Sequence, residues 1–189
     1  MTLKKRLLVV DLEATCWDDR PQSVDMMEVI EFGLAVATID GSLETNHGFY
    51  VKPALSPVLS SFCQSLTGIT QAQVDTAPLY ASAVIDINAF LAEYNFSAWA
   101  SWGQYDKRQI AVEFNRHNIA PDFFDLPHIN LKALWQHQKG SKRRAGLGTA
   151  LASIGLDFVG DQHSGKQDAF NIVRLLPYIE SLPKLIKIT

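Results

Sequence analysis

The chain has 189 residues, of which 47% are hydrophobic and 20% charged, so it is long enough for one core and has the composition of a folded domain rather than a disordered chain. We predict a single domain over residues 1–189, and the absence of any apolar run near the ~20 residues of a membrane helix excludes a membrane-spanning protein. The net charge of −3 excludes a strongly basic surface overall, although catalytic acids and bound cations would change the balance locally.

The predicted elements begin with three strands. Residues 7–13 are a short apolar run that ends in acids, as expected for a strand buried on both faces. Residues 27–38 are rich in Val, Ile and Phe and end at Asp40-Gly41, which is a hairpin signal. Residues 49–51 form a third strand, which Pro53 stops. Three consecutive strands joined by at least one tight turn indicate an antiparallel meander.

Helices and strands alternate through the rest of the chain. The apolar spacing predicts helices at 78–91, about 110–117, from about 131 onward, 146–155 and about 165–179, and strands at 96–102 and 128–131. A meander followed by this alternation predicts an α/β fold with a mixed sheet and helices on its faces. Ligands of such sheets bind where strand ends meet helix starts.

Asp11 and Glu13 are the first candidate site residues. Side chains alternate along a strand, so both would project from one face with their Cα atoms ~7 Å apart, where they could bind one hard cation. A D-x-E triplet taken alone is also typical of two solvated acids. Because the preceding residues have the character of a buried strand, two carboxylates at its end are costly unless they are paired or metal-bound.

His163 and Asp168 flank the start of the last predicted helix. Ser164 and Gln167 have the spacing of a capping box, which places His163 just before the helix and Asp168 in its first turn. Asp168 also lies four residues before Ile172, on the side that faces the sheet. Each residue has an ordinary interpretation as well, Asp168 as an acid that favours a helix N-terminus and His163 as a loop histidine.

Asp106 and a basic run complete the candidates. At Asp106 the chain leaves the predicted fourth strand and enters a helix, so its carboxylate is either a further acid of a site or another helix N-terminal acid. The run KGSKRR at 139–144 is either a solvated loop or a phosphate contact.

Taken together and in this order, these pieces resemble the motifs of the DEDDh exonucleases of the ribonuclease-H-like fold, which include ribonuclease T and polymerase proofreading subunits. The resemblance extends over nearly the whole chain. Five runs are similar to the subgroup that acts on the 3′ ends of histone messenger RNA, small interfering RNA and ribosomal RNA: DLEATCW at 11–17, EVIEF at 28–32, FCQSLTGI at 62–69, HINLK at 128–132 and HSG at 163–165. The run GQYD at 103–106 departs from the Gly-Asp-Trp-Asp-like run usual there.

The resemblance implies a fold, a reaction and a set of catalytic residues. The fold would be the three-layer ribonuclease-H-like one, with a mixed five-stranded sheet. The reaction would be 3′-to-5′ exonuclease hydrolysis that releases nucleoside 5′-monophosphates with two Mg²⁺ or Mn²⁺ ions. Asp11 would bridge both metals, with Glu13 and Asp168 completing one site and Asp106 the other. His163 would accept the proton of the attacking water.

The resemblance also implies how a nucleic-acid end is held, and it favours single-stranded RNA over DNA. Backbone at Ala14 and Thr15 would lie near the sugar, and Leu66 would lie against the base. Trp102 and Tyr105 could join this platform or pack in the core. Two alternatives remain open: a DNA proofreading or repair exonuclease, and a regulatory protein that keeps the fold and binds a partner without catalysis.

The cysteine content indicates the compartment. Cys16 and Cys63 are too few for a disulfide framework and lack the spacing of paired zinc ligands or of a Cys-x-x-Cys redox motif. The apolar run at 7–10 that follows the basic start is too short for a secretion signal. We therefore predict a cytoplasmic protein with two reduced, buried cysteines.

Overall fold

The chain folds around one mixed sheet of five strands in the order β3-β2-β1-β4-β5. The computed structural model describes residues 5–19, 23–140 and 145–186. The strands are β1 (Arg6–Ala14), β2 (Val29–Thr38), β3 (Leu43–Tyr50), β4 (Trp99–Ser101) and β5 (His128–Asn130). The first three form an antiparallel meander, and β4 and β5 run parallel to β1 and to each other. The predicted fold class is confirmed.

Helices cover both faces of this sheet. In the described ranges they are α1 (Ser61–Thr67), α2 (Gln71–Thr76), α3 (Tyr80–Leu91), α4 (Tyr105–His117), α5 (Leu131–Gln138), α6 (Leu147–Ala152), α7 (Gly165–Val173) and α8 (Leu182–Leu185). One core contains α5, α6, α7 and α8, and the core on the opposite face contains α3 and α4. The fold therefore has three layers, as the sequence predicts.

β1 is the central strand, and its side chains alternate between the two cores. Leu7 and Val9 pack in the core that contains α7, whereas Leu8 and Val10 pack in the core that contains α3. All four are fully buried, which stabilises the fold by roughly 1.5–3 kcal/mol per side chain. A shift of one residue would exchange the two sets, so this burial fixes the register of β1 and the direction in which its last residues emerge.

β2 carries small residues on the side that faces α7. Ala35 and Ala37 pack in the same core as α7, and Gly33 lies at the first turn of that helix. A Cβ atom at Gly33 would lie 1.9 Å from the carbonyl carbon of Gly165, so only glycine permits this approach. The N-terminus of α7 consequently lies directly on the sheet, beside the end of β1.

Two predicted strands have different bounds in the structure. β3 begins at Leu43 rather than at 49. Its additional residues are mostly polar and none of them is fully buried, because it is an edge strand with little burial to impose an apolar pattern. β4 spans only Trp99–Ser101 rather than 96–102. Its neighbours β1 and β5 pair with it only over this short stretch.

The last predicted helix is too long, and three short helices of the described ranges were not predicted, namely α1, α2 and α8. α7 ends at Val173 rather than near 179, because Pro177 lacks an amide hydrogen and the chain continues as a 3-10 turn over Leu176–Tyr178. α1 and α2 have N-cap signals, since the Ser60 side chain accepts from the Cys63 amide and Thr70 forms a capping box with Gln73. Their brevity hides any apolar periodicity.

None of the helices in the described part of the chain has the length and apolar character needed to cross a membrane. Cys16 and Cys63 are buried free thiols, as predicted.

Candidate active site

The five predicted catalytic residues line one cleft of about 820 Å³: Asp11, Glu13, Asp106, His163 and Asp168. They come from three places that are distant in sequence, namely the end of β1, the first turn of α4, and the start of α7 with the loop before it. The cleft thus lies where strand ends meet helix starts.

Asp106 is tied to β1 between the two acids of that strand. Its Oδ1 accepts a hydrogen bond from the Leu12 amide at 3.0 Å, and its carboxylate also bonds to the Ser101 hydroxyl at the end of β4. Asp106 and Ser101 are both buried. These bonds hold the start of α4 against the end of β1.

His163 and Asp168 are fixed to each other. The His163 amide donates to Oδ2 of Asp168 at 3.0 Å, and His163 has a φ of 61°, in the left-handed region. Such a backbone is unfavourable for a residue other than glycine and is kept where a site requires it. Side-chain ligand atoms of Glu13, His163 and Asp168 all lie within 4.8 Å of one another, close enough to bind one ion.

The predicted capping box at the start of α7 is wrong. Ser164 is the N-cap residue, but its side chain makes no capping bond, and Oε1 of Gln167 accepts instead from the Asp161 amide. Glu31 on β2 accepts from the first amides of the helix, at 2.8 Å from Gly165 and 3.2 Å from Lys166. Local spacing could not reveal a cap that comes from a residue more than 130 positions away.

The four carboxylates repel one another in a desolvated place. Burial, followed by repulsion from Asp168 and other acids, raises the pKa of Glu13 to about 9, and burial raises the pKa of Asp106 to about 6. Burial raises the pKa of Asp168 to about 7, although its bond from His163 opposes this. For Asp11, burial and the charges of Asp106, Asp168 and Glu13 raise the pKa well above its ordinary value.

No lysine or arginine of the described ranges forms an ion pair with these four acids. Their oxygen atoms are hard ligands in a buried, negatively charged cleft, which is the environment that divalent cations such as Mg²⁺ or Mn²⁺ require. The residues therefore fit a divalent-metal site.

Three of the four predicted substrate residues line the cleft, namely Ala14, Leu66 and Trp102. Trp102 has both suggested environments, because it lines the cleft while its ring lies 6.2 Å from that of Trp135. Thr15 does not line the cleft. It is buried behind this wall, where its amide donates to the Glu28 carbonyl and its hydroxyl accepts from the Glu28 amide.

The opposite wall of the cleft was not predicted. It is formed mainly by α6 and the loops around it, with Leu147, Thr149, Phe158 and Gln162 among its residues. Residues 146–162 contain no histidine and only the separate acids Asp157 and Asp161, so no chemical motif marks this wall in the sequence. Of the basic run at 139–144, residues 141–144 lie outside the described residues, and Lys139 is exposed with its Nζ 4.8 Å from the Trp135 ring centroid.

Comparison with known proteins finds similarity over most of the chain, including the residues of the cleft. The sequence profile of the Exonuclease (RNase_T) family matches residues 8–176. ERI1 exoribonuclease 2 of Homo sapiens is 31% identical over 193 residues, which cover 89% of this chain and 27% of the human protein. The 3′-5′ exonuclease eri1 of Schizosaccharomyces pombe is 28% identical over 203 residues, covering 93% of the chain and 68% of that relative. The chain thus spans about a quarter of the human relative's length.

A solved structure has the same fold. The nuclease domain of 3′hExo, a DEDDh family member bound to rAMP, superposes with a TM-score of 0.83 at 25% sequence identity. The superposition covers 98% of this chain and 96% of that domain.

Proposed function

The chain belongs to the Exonuclease family, and from this premise we propose that it hydrolyses single-stranded RNA from the 3′ end, releasing nucleoside 5′-monophosphates with the help of two divalent cations. One observation carries the proposal. Three buried carboxylates, the partly buried carboxylate of Asp11 and a histidine line one cleft, and no basic side chain of the described residues neutralises the acids.

The four acids are the ligands that we propose for Mg²⁺ or Mn²⁺. Asp11 would bridge two ions, Glu13 and Asp168 would complete one site, and Asp106 would serve the other. When bound, two such ions activate a water molecule and neutralise the leaving oxygen of a phosphodiester. The hydrogen bonds from Leu12 to Asp106 and from His163 to Asp168 orient these carboxylates before a ligand arrives.

His163 is the proposed general base. Its side chain is exposed to the cleft, and a ligand nitrogen lies within 4.8 Å of carboxylate oxygens of Glu13 and Asp168. Imidazole is well suited to accept a proton from water near neutral pH. The left-handed backbone at His163 places the ring beside Glu13 and Asp168.

The wall at Ala14 and Leu66 is the proposed place of the terminal nucleotide. Leu66 is 38% exposed and offers an apolar surface for a base, while Trp102 offers a ring on the same cleft. Contacts of this kind tolerate any base, so we expect weak sequence preference. RNA is favoured over DNA because the Homo sapiens relative is named an exoribonuclease and the similar nuclease domain was solved with rAMP bound.

We further propose that residues 1–189 act as one exonuclease domain in the cytoplasm. One sheet joins all five strands, with the site at its centre, which supports a single functional unit. The two free buried cysteines are compatible with a reducing compartment.

The test compares 3′-end degradation of 5′-labelled single-stranded RNA and DNA of one sequence in Mg²⁺. We expect stepwise shortening of RNA, with nucleoside 5′-monophosphates as the released product, and slower shortening of DNA. Asp11→Asn should lower the rate on the order of 10⁴-fold, because it removes a metal ligand that contributes several kcal/mol to transition-state stabilisation. Asp86→Asn is the matched control, since Asp86 is an exposed acid on α3.

Faster digestion of DNA than of RNA would favour the proofreading or repair alternative. Binding of RNA without digestion would favour a non-catalytic regulatory protein. Digestion that Asp11→Asn leaves undiminished would overturn the assignment of this cleft as the active site.

A further inference from the structure

Glu31 is a buried acid to which the proposed mechanism gives no role. It lies on β2 directly opposite Glu13 of β1 in the antiparallel pairing, and only 2% of its surface is exposed. Both of its oxygens are used, because Oε2 accepts from the Gly165 amide at 2.8 Å and Oε1 accepts from the Lys166 amide at 3.2 Å. These amides belong to the first turn of α7, so a strand residue caps that helix.

The backbone around Glu31 is shaped so that these two bonds can form. A Cβ atom on Gly165 would lie 2.9 Å from the Asp11 carbonyl oxygen and 3.3 Å from Oε2 of Glu31. A Cβ atom on Gly48 of β3 would lie 2.8 Å from Oε1 of Glu31. Gly165 and Gly48 thus leave room for the carboxylate of Glu31, and Gly33 lets the start of α7 lie against β2. Such close packing leaves the start of the helix little room to shift.

Two of the proposed catalytic residues lie at the start of α7. Asp168 is in the first turn of α7, three residues after Gly165, and the amide of His163 is bonded to its carboxylate. A displacement of the first turn would move Asp168 and His163 together, relative to Asp11 and Glu13 on β1. Glu31 therefore links the strand pair that carries Asp11 and Glu13 to the helix that carries Asp168 and directly follows His163.

A fifth carboxylate at this place is unfavourable by itself. Burial raises the pKa of Glu31, and its charge adds to the repulsion in Asp11 and Glu13. A neutral cap would avoid this repulsion, and Ser164 at the N-cap makes no side-chain bond to the helix. A carboxylate instead accepts two amides at once and interacts favourably with the positive end of the helix dipole.

We propose that Glu31 is a positioning residue of the exonuclease: by bonding to the first two amides of α7 it sets the place of Asp168 and His163 against Asp11 and Glu13. The expected effect on kcat rests on the proposed function. The expected effect on the affinity of the acidic cluster for a divalent cation does not rest on it.

The experiment uses three variants of the full chain. Glu31→Gln removes the charge and one acceptor, and Glu31→Asp keeps the charge but shortens the side chain by one methylene group, so that it cannot reach both amides. Glu28→Gln is the matched control. Glu28 is also buried, at 3% exposed, and its carboxylate accepts from the backbone amides of Ala54, Leu55 and Ser56, which belong to a loop outside the site.

Mn²⁺ affinity by titration calorimetry, kcat and KM on 5′-labelled RNA, and the unfolding temperature are measured for each protein. We expect both Glu31 variants to lose about 10- to 100-fold in Mn²⁺ affinity and in kcat, with KM for RNA unchanged, as is typical when a residue that orients metal ligands is altered. Glu28→Gln should lower the unfolding temperature and leave Mn²⁺ affinity and kcat unchanged.

If Glu31→Asp kept the Mn²⁺ affinity and kcat of the wild type, the positioning role would be overturned. If Glu31→Gln lost both in that case, the role of Glu31 would be limited to its charge. An equal loss in Glu28→Gln would overturn the positioning role as well, since the effect would then be one of general stability. If the wild-type chain bound Mn²⁺ but digested no RNA, the proposed function would fail while the affinity comparison still decided the role of Glu31. If Glu31→Gln were unfolded, the milder Glu31→Asp would decide it.

Discussion

The buried acid Glu113 and the acids of the cleft have opposite surroundings. Glu113 on α4 is 1% exposed, and its Oε1 accepts from the Val29 amide at 2.9 Å while its Oε2 lies 2.9 Å from Nη1 of Arg116. His117 and Gln109 also contact this carboxylate. At the cleft, Glu13 and Asp168 are each 9% exposed, and their neighbours are mainly other acids.

This difference in partners distinguishes an acid that stabilises the fold from acids that are available to bind a ligand. A buried charge is tolerated when bonds and an opposite charge satisfy it, as at Glu113. The cleft acids lack a cationic side chain within the described ranges, and burial raises the pKa of each of them. Burial of an acid is therefore not informative by itself, whereas the partner of that acid is.

After that of Asp11→Asn, the largest effect is expected at His163, the one proposed catalytic residue that is not an acid. His163→Asn should lower the rate of RNA hydrolysis about 10³-fold while Mg²⁺ or Mn²⁺ still binds, because a general base is lost and the metal-ligand acids remain. Asparagine is the suitable replacement since it tolerates the left-handed backbone found at 163. The measurement is single-turnover digestion with calorimetry of metal binding.

His137→Asn, at an exposed position of α5, serves as the control for loss of a histidine. Full activity of His163→Asn with metal bound would assign the proton acceptor to another group.

A smaller effect is expected from metal on stability, and it should occur only at the cleft. Saturation with Mg²⁺ at about a hundred times its Kd should raise the unfolding temperature by about 5–10 °C, since binding to the folded state alone stabilises by about 2.7 kcal/mol. Asp11→Asn should reduce this rise, and Glu113→Gln should not. Thermal unfolding with Mg²⁺ and with a chelator gives the comparison.

The pH dependence follows from the direction of the pKa shifts. The folded chain binds more protons than the unfolded one between the ordinary values of 3.8 and 4.5 and the raised values of about 6, 7 and 9. Stability without metal must therefore fall as pH rises through this window. The metal-induced rise should accordingly be larger at about pH 8 than at about pH 6, because bound cations replace those protons. A rise independent of pH would contradict the raised values.

The smallest effect is expected on the structural side of the comparison. Glu113→Gln should destabilise the fold by about 2 kcal/mol, lowering the unfolding temperature by about 4–8 °C, because a charged hydrogen bond to Arg116 is lost. Metal affinity and the rate per folded molecule should stay as in the wild type. A fall in metal affinity would show that the two groups of acids are coupled through α4, which also carries Asp106.

Much of the site could be predicted because its residues lie at boundaries that leave a local signal. Asp11 and Glu13 follow a fully apolar strand, and Asp106 and Asp168 each lie in the first turn of a helix. The five catalytic candidates line one cleft as expected. Thr15 does not, because its amide is used by Glu28 on a segment 13 residues away.

The bounds of several elements were harder to predict, for physical reasons that differ. The edge strand β3 has one side in solvent and no apolar alternation to mark its start at Leu43. The end of α7 was set by Pro177, whose effect extends to the residues before it. The short helices α1 and α2 have caps but too few residues for a periodic pattern.

The amino-acid sequence by itself determined the order of the strands and of the longer helices along the chain, the two-sided burial of β1 and the identity of the acids and histidine at element ends, because these depend on periodicity and on local backbone preference. Only the tertiary structure decided that Glu31 rather than Ser164 caps α7, that glycines on three elements let this helix lie on the sheet, and that the cleft acids lack cationic partners where Glu113 has one. Those outcomes depend on distances between residues far apart in the chain, and such distances are fixed when the two cores pack against the sheet.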